Sequence, residues 1–256
     1  MRRQILLASV GALALTGSAA FAADLPYRGP PPVYLPPPPI FTWSGLYVGV
    51  QIGYAFGNNH VTVTDFPFPQ FDSVSGSPSG AIGGAHIGYN LQIAQWVVGL
   101  EGTVDGTGMN GTLVAPNNVL TTQTRSDVQG SIRVRAGIAF DRVLLYATGG
   151  AAFANIYSNY TDPTGFASGI VGNAEKITQT RSGWTVGGGI AYAVTNNWSI
   201  RAEYRYSDFG SFNNFPFTGT PFGPLQVKQH LAQNQVQAGL TYKFDSWAPA
   251  PVVAKY

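Results

Sequence analysis

Trp198-Ser199-Ile200-Arg201-Ala202-Glu203-Tyr204-Arg205-Tyr206 alternates without a slip, with aromatic, aliphatic and small residues at even positions and Ser199 and the charged groups at odd ones. Successive side chains of an extended chain point to opposite faces, so this stretch is a strand with one apolar and one charged side. Val236-Gln237-Ala238-Gly239-Leu240-Thr241-Tyr242-Lys243-Phe244 repeats the pattern. Such strands build either a soluble sheet or a barrel in lipid. After residue 22 no run of 18 apolar residues occurs that could cross a membrane as a helix.

Composition separates the two. Charged residues make up 10% of the chain, whereas a soluble surface usually carries about 25–35%. The polar rows are written mainly in Gly, Gln, Ser and Thr. Closed barrels are the sheets that can span a bilayer with every backbone group paired. A membrane barrel is therefore expected over a periplasmic sandwich or lipocalin-like barrel.

Residues 1–22 read as a signal peptide: basic Met1-Arg2-Arg3, an apolar core from Ile5 to Leu15, and Ala20-Phe21-Ala22 before the cleavage point. The core is too short for an anchoring helix and is interrupted by Gly11, Thr16 and Gly17. The chain has no Cys, hence neither a lipoprotein thiol nor a disulfide. Export combined with a barrel pattern points to the outer membrane of a Gram-negative cell. Loss of residues 1–22 lowers the basic count from 14 to 12, level with the 12 acidic residues, so nucleic-acid binding has no electrostatic support.

Residues 23–42 form a proline-rich arm, with prolines at 26, 30–32 and 36–39, which favours an extended polyproline spacer in the periplasm. Its aromatics Tyr27, Tyr34 and Phe41 are candidate contacts to a periplasmic partner or the cell wall. Over 43–244 strands are expected near 44–56, 79–91, 96–108, 124–139, 143–156, 180–194, 198–210 and 232–244. Tight links near 92–95, 140–142 and 195–197 alternate strictly with long Gly-, Pro-, Ser-, Thr- and Asn-rich links near 57–78, 109–123, 157–179 and 211–231. Short periplasmic turns and longer outer loops mark an outer-membrane barrel. The fold class is all-β, an eight-stranded antiparallel up-and-down transmembrane β-barrel, with residues 245–256 as a short periplasmic tail.

Five motifs stand in order: Trp43-Ser44-Gly45-Leu46-Tyr47-Val48-Gly49, Gly84-Ala85-His86-Ile87-Gly88-Tyr89-Asn90, Leu145-Tyr146-Ala147-Thr148-Gly149-Gly150, Gly183-Trp184-Thr185-Val186-Gly187-Gly188-Gly189 and Glu203-Tyr204-Arg205-Tyr206-Ser207-Asp208-Phe209-Gly210. With them the chain resembles the small outer-membrane β-barrel proteins of alphaproteobacteria, the RopB-like or outer membrane immunogenic protein family, with an OmpA-like transmembrane barrel. The resemblance implies eight strands and an abundant surface protein. Its relatives include haemin binders and porin-like proteins, and the family has no single settled activity. At Ala191 the family is expected to carry an inward Glu. Gln237 to Phe244 also resembles the sorting signal read by the barrel-assembly machinery, for which Tyr256 is the alternative terminus.

An eight-stranded barrel has an interior just wide enough for side chains. Counted from the short turns, Glu101, Arg135 and Glu203 share a layer roughly 15 Å up, inside an apolar band of about 25 Å. Arg133 and Arg205 fall about two residues higher, and Arg201 stands on the same inward row as Glu203. Opposite charges in a narrow lumen pair, and inward glycines 49, 84, 88, 137, 187, 189 and 239 leave room for long arginines. A salt-bridged plug with a structural and surface role is the first expectation. A narrow charge-lined pore that opens when pairs exchange is the second; general diffusion pores need about 16 strands. His86 is expected to hydrogen-bond within the lumen.

His60 follows the first strand and His230 precedes the last, so both imidazoles should meet at one outer rim, where nearby phenylalanines would suit haem or another ligand. The loop aromatics Phe66, Phe68, Phe71, Tyr157, Tyr160, Phe166, Phe212, Phe215, Phe217 and Phe222 fit either a contact surface or self-packing. No metal set and no cofactor beyond that haem reading is expected. Outer-membrane lipid and lipopolysaccharide are the expected surroundings. No G-x-S-x-G, helical zinc pair or phosphate loop occurs, so an enzyme is not expected.

Overall fold

The computed structural model describes residues 41–64, 71–115, 120–220 and 225–244. Its strands are β1 (Gly45–Thr64), β2 (Phe71–Gly76), β3 (Ser79–Ile93), β4 (Trp96–Val114), β5 (Thr121–Phe140), β6 (Val143–Asp162), β7 (Asn173–Ala193), β8 (Trp198–Asn214) and β9 (Gln226–Lys243). All pairings are antiparallel, and β1 bonds both β3 and, from Tyr47 to Thr64, β9. That last pairing closes the sheet and leaves no membrane-spanning edge.

Nine strands stand where eight were expected, and the physical reason is a proline. β2 pairs only with the outer end of β1, Asn59–Thr64 against Phe71–Gly76. It continues β3 outward, separated from it by Ser77-Pro78. Pro78 has no N–H to give a ladder, and its carbonyl instead accepts a hydrogen bond from Gly57 N at 2.7 Å. Eight strands therefore span, and the ninth is the upper half of one of them.

The strands also outrun their expected outer ends. A tilted spanning strand needs about 9–11 residues, whereas β3 has 15 and β7 has 21. The segments read as loops from their polar composition continue as barrel wall at their bases, reaching 64, 114, 162 and 214. Above the lipid an outward row no longer needs to be greasy, so Asn58, His60 and Thr62 follow Ile52, Tyr54 and Phe56 on the same face of β1. From Leu46 to Phe56 the apolar row rises about 26 Å at a tilt near 40°, the height of the lipid band.

The outer wall carries the exposed apolar residues. Trp96, Phe140, Tyr192, Trp198 and Phe244 crowd its periplasmic end, where Tyr242 stacks edge-on with Trp198 and Phe244 at 5.0 and 5.1 Å between centroids. Ala94 (φ 53°) and Asp141 (φ 51°) occupy the left-handed positions of the β3–β4 and β5–β6 turns. Residues 1–40, with the expected signal peptide and nearly all of the proline-rich arm, lie outside the described residues. So do the 245–256 tail, Phe66, Phe68, Phe222 and the side chain of Phe71.

Candidate functional site in the barrel lumen

Inward side chains fill the barrel in strata. At the periplasmic end Trp43 packs with Val97, Ala139, Leu144, Ala191 and Ala193, and Phe41 meets Trp43 edge-on at 5.2 Å. Trp43 donates its indole N–H to the Asp141 carbonyl at 3.2 Å, which pins the chain across the barrel mouth. Ala191 is thus part of an apolar cap, in contact with the cluster of Trp43.

Above the cap lies the charged layer. Arg133, with no exposed surface, donates to Glu203 Oε1 at 2.6 Å, to Glu101 Oε1 at 2.5 Å and to Thr148 Oγ1 at 3.1 Å. Glu101 Oε2 also accepts from Arg201 at 2.6 Å and from the Tyr47 hydroxyl at 3.0 Å. Glu203 accepts from Arg205 at 2.9 Å and from the Tyr146 hydroxyl at 3.0 Å. Asp105 accepts from Gln51 at 2.5 Å and faces Arg205 at 3.6 Å. His86 joins Gln51 and Thr241 through its two ring nitrogens at 2.9 Å each.

All six sequence-derived lumen charges are buried and inward, but their layering differs from the expectation. Glu101 stands opposite Arg133, and Arg135 stands opposite Gly99. Neighbouring hairpins of a closed barrel are staggered by the shear: Trp96, the first residue after one turn, pairs with Ile138, three residues short of the next. Level counting from the turns therefore put Arg135 into the layer that Arg133 occupies. Arg135 sits lower, with its guanidinium 3.5 Å from the centroid of the Tyr146 ring and 3.7 Å from Glu101 Oε2.

The inward glycines serve more than arginines. A Cβ on Gly88 would lie 2.4 Å from the Tyr47 ring, and one on Gly189 would lie 2.7 Å from the Tyr146 hydroxyl. Each tyrosine lies flat across the glycine of the neighbouring strand and so brings its hydroxyl to a buried glutamate. Tyr47, Tyr146, Asp105 and Gln51 were not foreseen as partners. Part of the signal was available: Asp105 shares the inward parity of Glu101, and Tyr47 and Gln51 share that of Gly49.

Next outward is an amide layer, in which Gln129 and Gln233 exchange reciprocal hydrogen bonds at 3.0 and 2.6 Å and Gln235 donates to Gln129 at 3.0 Å. Apolar side chains return above it: Ile156, Phe209, Phe212 and Leu231, then Val61, Leu120, Tyr160, Phe217, Leu225 and Val227 near the outer mouth. Of the described loop aromatics, Tyr160, Phe212 and Phe217 bury into this plug, while Phe166 and Phe215 remain exposed. Burial pushes the Tyr160 phenol above its ordinary ionisation range. Asp162, fully buried, accepts from Gly165 N, Ser168 N and Ser168 Oγ at 2.8, 2.7 and 2.9 Å and so holds the 163–172 loop together. The voids between strata include about 20 Å³ beside Arg135 and about 10 Å³ between Asp105 and Gln129.

A closed antiparallel ring with a lipid-facing outer wall and a polar interior is the geometry of an outer-membrane barrel, and over residues 9–244 the chain matches the family described as the outer membrane protein beta-barrel domain. The chain belongs to this family. It is 33% identical over 252 residues to the 31 kDa outer-membrane immunogenic protein of Brucella melitensis, covering 94% of this chain and 100% of that one. It is 31% identical to the 22 kDa outer membrane protein of Rhizobium leguminosarum over 82% of each chain. The crystal structure of OprG from Pseudomonas aeruginosa shares the fold, with a TM-score of 0.53 at 12% identity over 78% of this chain and 96% of that one. This family member is an outer-membrane protein.

At the outer end of this outer-membrane barrel, His60 and His230 are direct register partners on β1 and β9. Both lie on the outer wall above the apolar band. The His60 ring nitrogens bond Ser75 Oγ at 2.8 Å and Ser73 Oγ at 3.0 Å. His230 bonds Ser211 Oγ at 3.2 Å and faces Asp208 at 3.8 Å. Among the described residues no group of three or more His, Cys, Asp or Glu is arranged to hold a metal ion.

Proposed function

We propose that the protein is a non-catalytic structural element of the envelope: a barrel whose lumen is closed to solutes and whose outer loops form part of the cell surface. The observation that carries this is Arg133, which bonds Glu101 and Glu203 at once between two apolar caps. A conducting path would have to break both ion pairs and displace Trp43 below and Phe217 above. Severing one buried pair alone costs about 3–5 kcal/mol. The names of relatives as outer-membrane immunogenic proteins support a surface-exposed role.

One observation favours the small-pore alternative: Arg205 lies within reach of both Glu203, at 2.9 Å, and Asp105, at 3.6 Å, so one pair can exchange for another. Planar-bilayer conductance of the refolded protein, with and without the double substitution Glu101→Gln and Glu203→Gln, separates the two. The closed reading expects silence in the wild type. Stable wild-type channels whose ion selectivity moves in the double variant overturn it in favour of the pore.

A further inference from the structure

The charged layer does not balance. Its buried carboxylates are Glu101, Asp105 and Glu203, and its buried guanidinium groups are Arg133, Arg135, Arg201 and Arg205; Asp162, the remaining buried carboxylate among the described residues, lies at the outer loop. Glu101 has Arg133 and Arg201 at hydrogen-bond distance and Arg135 farther off, Glu203 has Arg133 and Arg205, each glutamate also takes a tyrosine hydroxyl, and Asp105 has Arg205 and Gln51. The cation with no carboxylate oxygen at hydrogen-bond distance is Arg135. Its Nη1 reaches the Tyr47 hydroxyl at 3.4 Å and Glu101 at 3.7 Å, and its Nε and Nη2 have no partner among the described residues.

A buried guanidinium with two nitrogens unpartnered among the described residues calls for an occupant. The void of about 20 Å³ borders Arg135 and Arg201 and extends to Asn196 and Asn197 in the β7–β8 turn, at the periplasmic mouth. Tyr146 covers one face of the Arg135 guanidinium, so the free donor edge is what remains to be used. The space holds one particle of about the size of a water molecule. The sign of the surplus charge selects an anion, and the size of the void suits a monatomic one.

We propose that this cavity is a halide-sized anion site, filled from the periplasm and coordinated by Arg135. The site needs no passage through the barrel, so it stands whether or not the lumen conducts. The bound ion neutralises the layer, and folded barrels are therefore more stable in chloride than in an equal concentration of a larger anion.

Crystals of the full-length protein soaked in sodium bromide should show an anomalous peak beside the Arg135 guanidinium. In solution the unfolding midpoint should be about 3 °C higher in sodium chloride than in sodium gluconate at equal ionic strength. Arg135→Gln should remove both the peak and the difference. An oxygen-sized density bridging Arg135 to the unpartnered Asn90 Oδ1, without anomalous signal, overturns the proposal. So does an adventitious ion only, meaning a bromide peak in the crystal with identical midpoints in chloride and gluconate. If Arg135→Gln fails to fold, the wild-type peak and the chloride difference decide the matter by themselves.

Discussion

Replacing Glu101 by Gln should damage this barrel more than removing the arginine that bridges it. Glu101 takes Arg133 on one oxygen at 2.5 Å, and Arg201 at 2.6 Å with the Tyr47 hydroxyl at 3.0 Å on the other. A glutamine presents an NH₂ group to one of those donors and removes the charge that holds three arginines together. The layer moves from a surplus of one positive charge to a surplus of two. The cost of leaving buried cations uncompensated is about 3–5 kcal/mol. Arg133→Met instead brings the layer to neutrality, and both glutamates retain a guanidinium, Arg201 on Glu101 and Arg205 on Glu203. Its cost is the lost hydrogen bonds, about 1–3 kcal/mol. With a urea dependence of about 2 kcal/mol per M, Glu101→Gln lowers the unfolding midpoint by about 2 M and Arg133→Met by about 1 M. Tryptophan fluorescence and heat-modifiable gel mobility of refolded protein report both. A Glu101→Gln midpoint equal to wild type, or an Arg133→Met midpoint below that of Glu101→Gln, refutes the charge-surplus reasoning.

Three other outcomes are open to measurement. Ala94→Gly relieves a left-handed backbone position and should raise the unfolding midpoint by the equivalent of about 1 kcal/mol, whereas the same exchange at Ala136 on β5 should not. Asp162→Ala removes the acceptor of the 163–172 loop; limited proteolysis should then cut there while the unheated gel band of the folded barrel persists. Haemin titration should leave the Soret band unshifted, because both His60 nitrogens are already engaged by Ser73 and Ser75; a shift that disappears in a His60→Ala, His230→Ala double variant would show that these histidines ligate iron.

The spanning wall was legible because lipid imposes a strict parity: Ile200, Ala202 and Tyr204 face out, and Arg201, Glu203 and Arg205 face in. The same parity exposed six charges of the lumen and missed Asp105, which shares the inward row of Glu101. Three things stayed hidden for identifiable reasons. Above the lipid the outward row turns polar, so composition could not distinguish the outer barrel wall around Asn58 and His60 from loop. The layer height of Arg133 and Arg135 depends on hairpin stagger, which no single strand records. The positions of Tyr47 and Tyr146 depend on glycines of adjacent strands, Gly88 and Gly189, and that relation appears only with the register.

The ion-pair layer draws on β1, β4, β5, β6 and β8, from Tyr47 to Arg205. The β4–β5 pair supplies the Glu101–Arg133 contact by itself, but the bonds from Arg133 to Glu203 and from Arg201 to Glu101 cross the lumen. Those trans-lumen bonds form only when the sheet has rolled far enough to bring β8 opposite β4 and β5, and Tyr47 joins them from β1, so much of the favourable energy of the interior arrives late in closure. A partly rolled sheet would leave Arg201 without its bonded carboxylate and Arg133 with one of its two, and would gain by unrolling rather than by waiting. The barrel should accordingly be found shut or not formed at all, and its seam should be as resistant to opening as any other pair of strands.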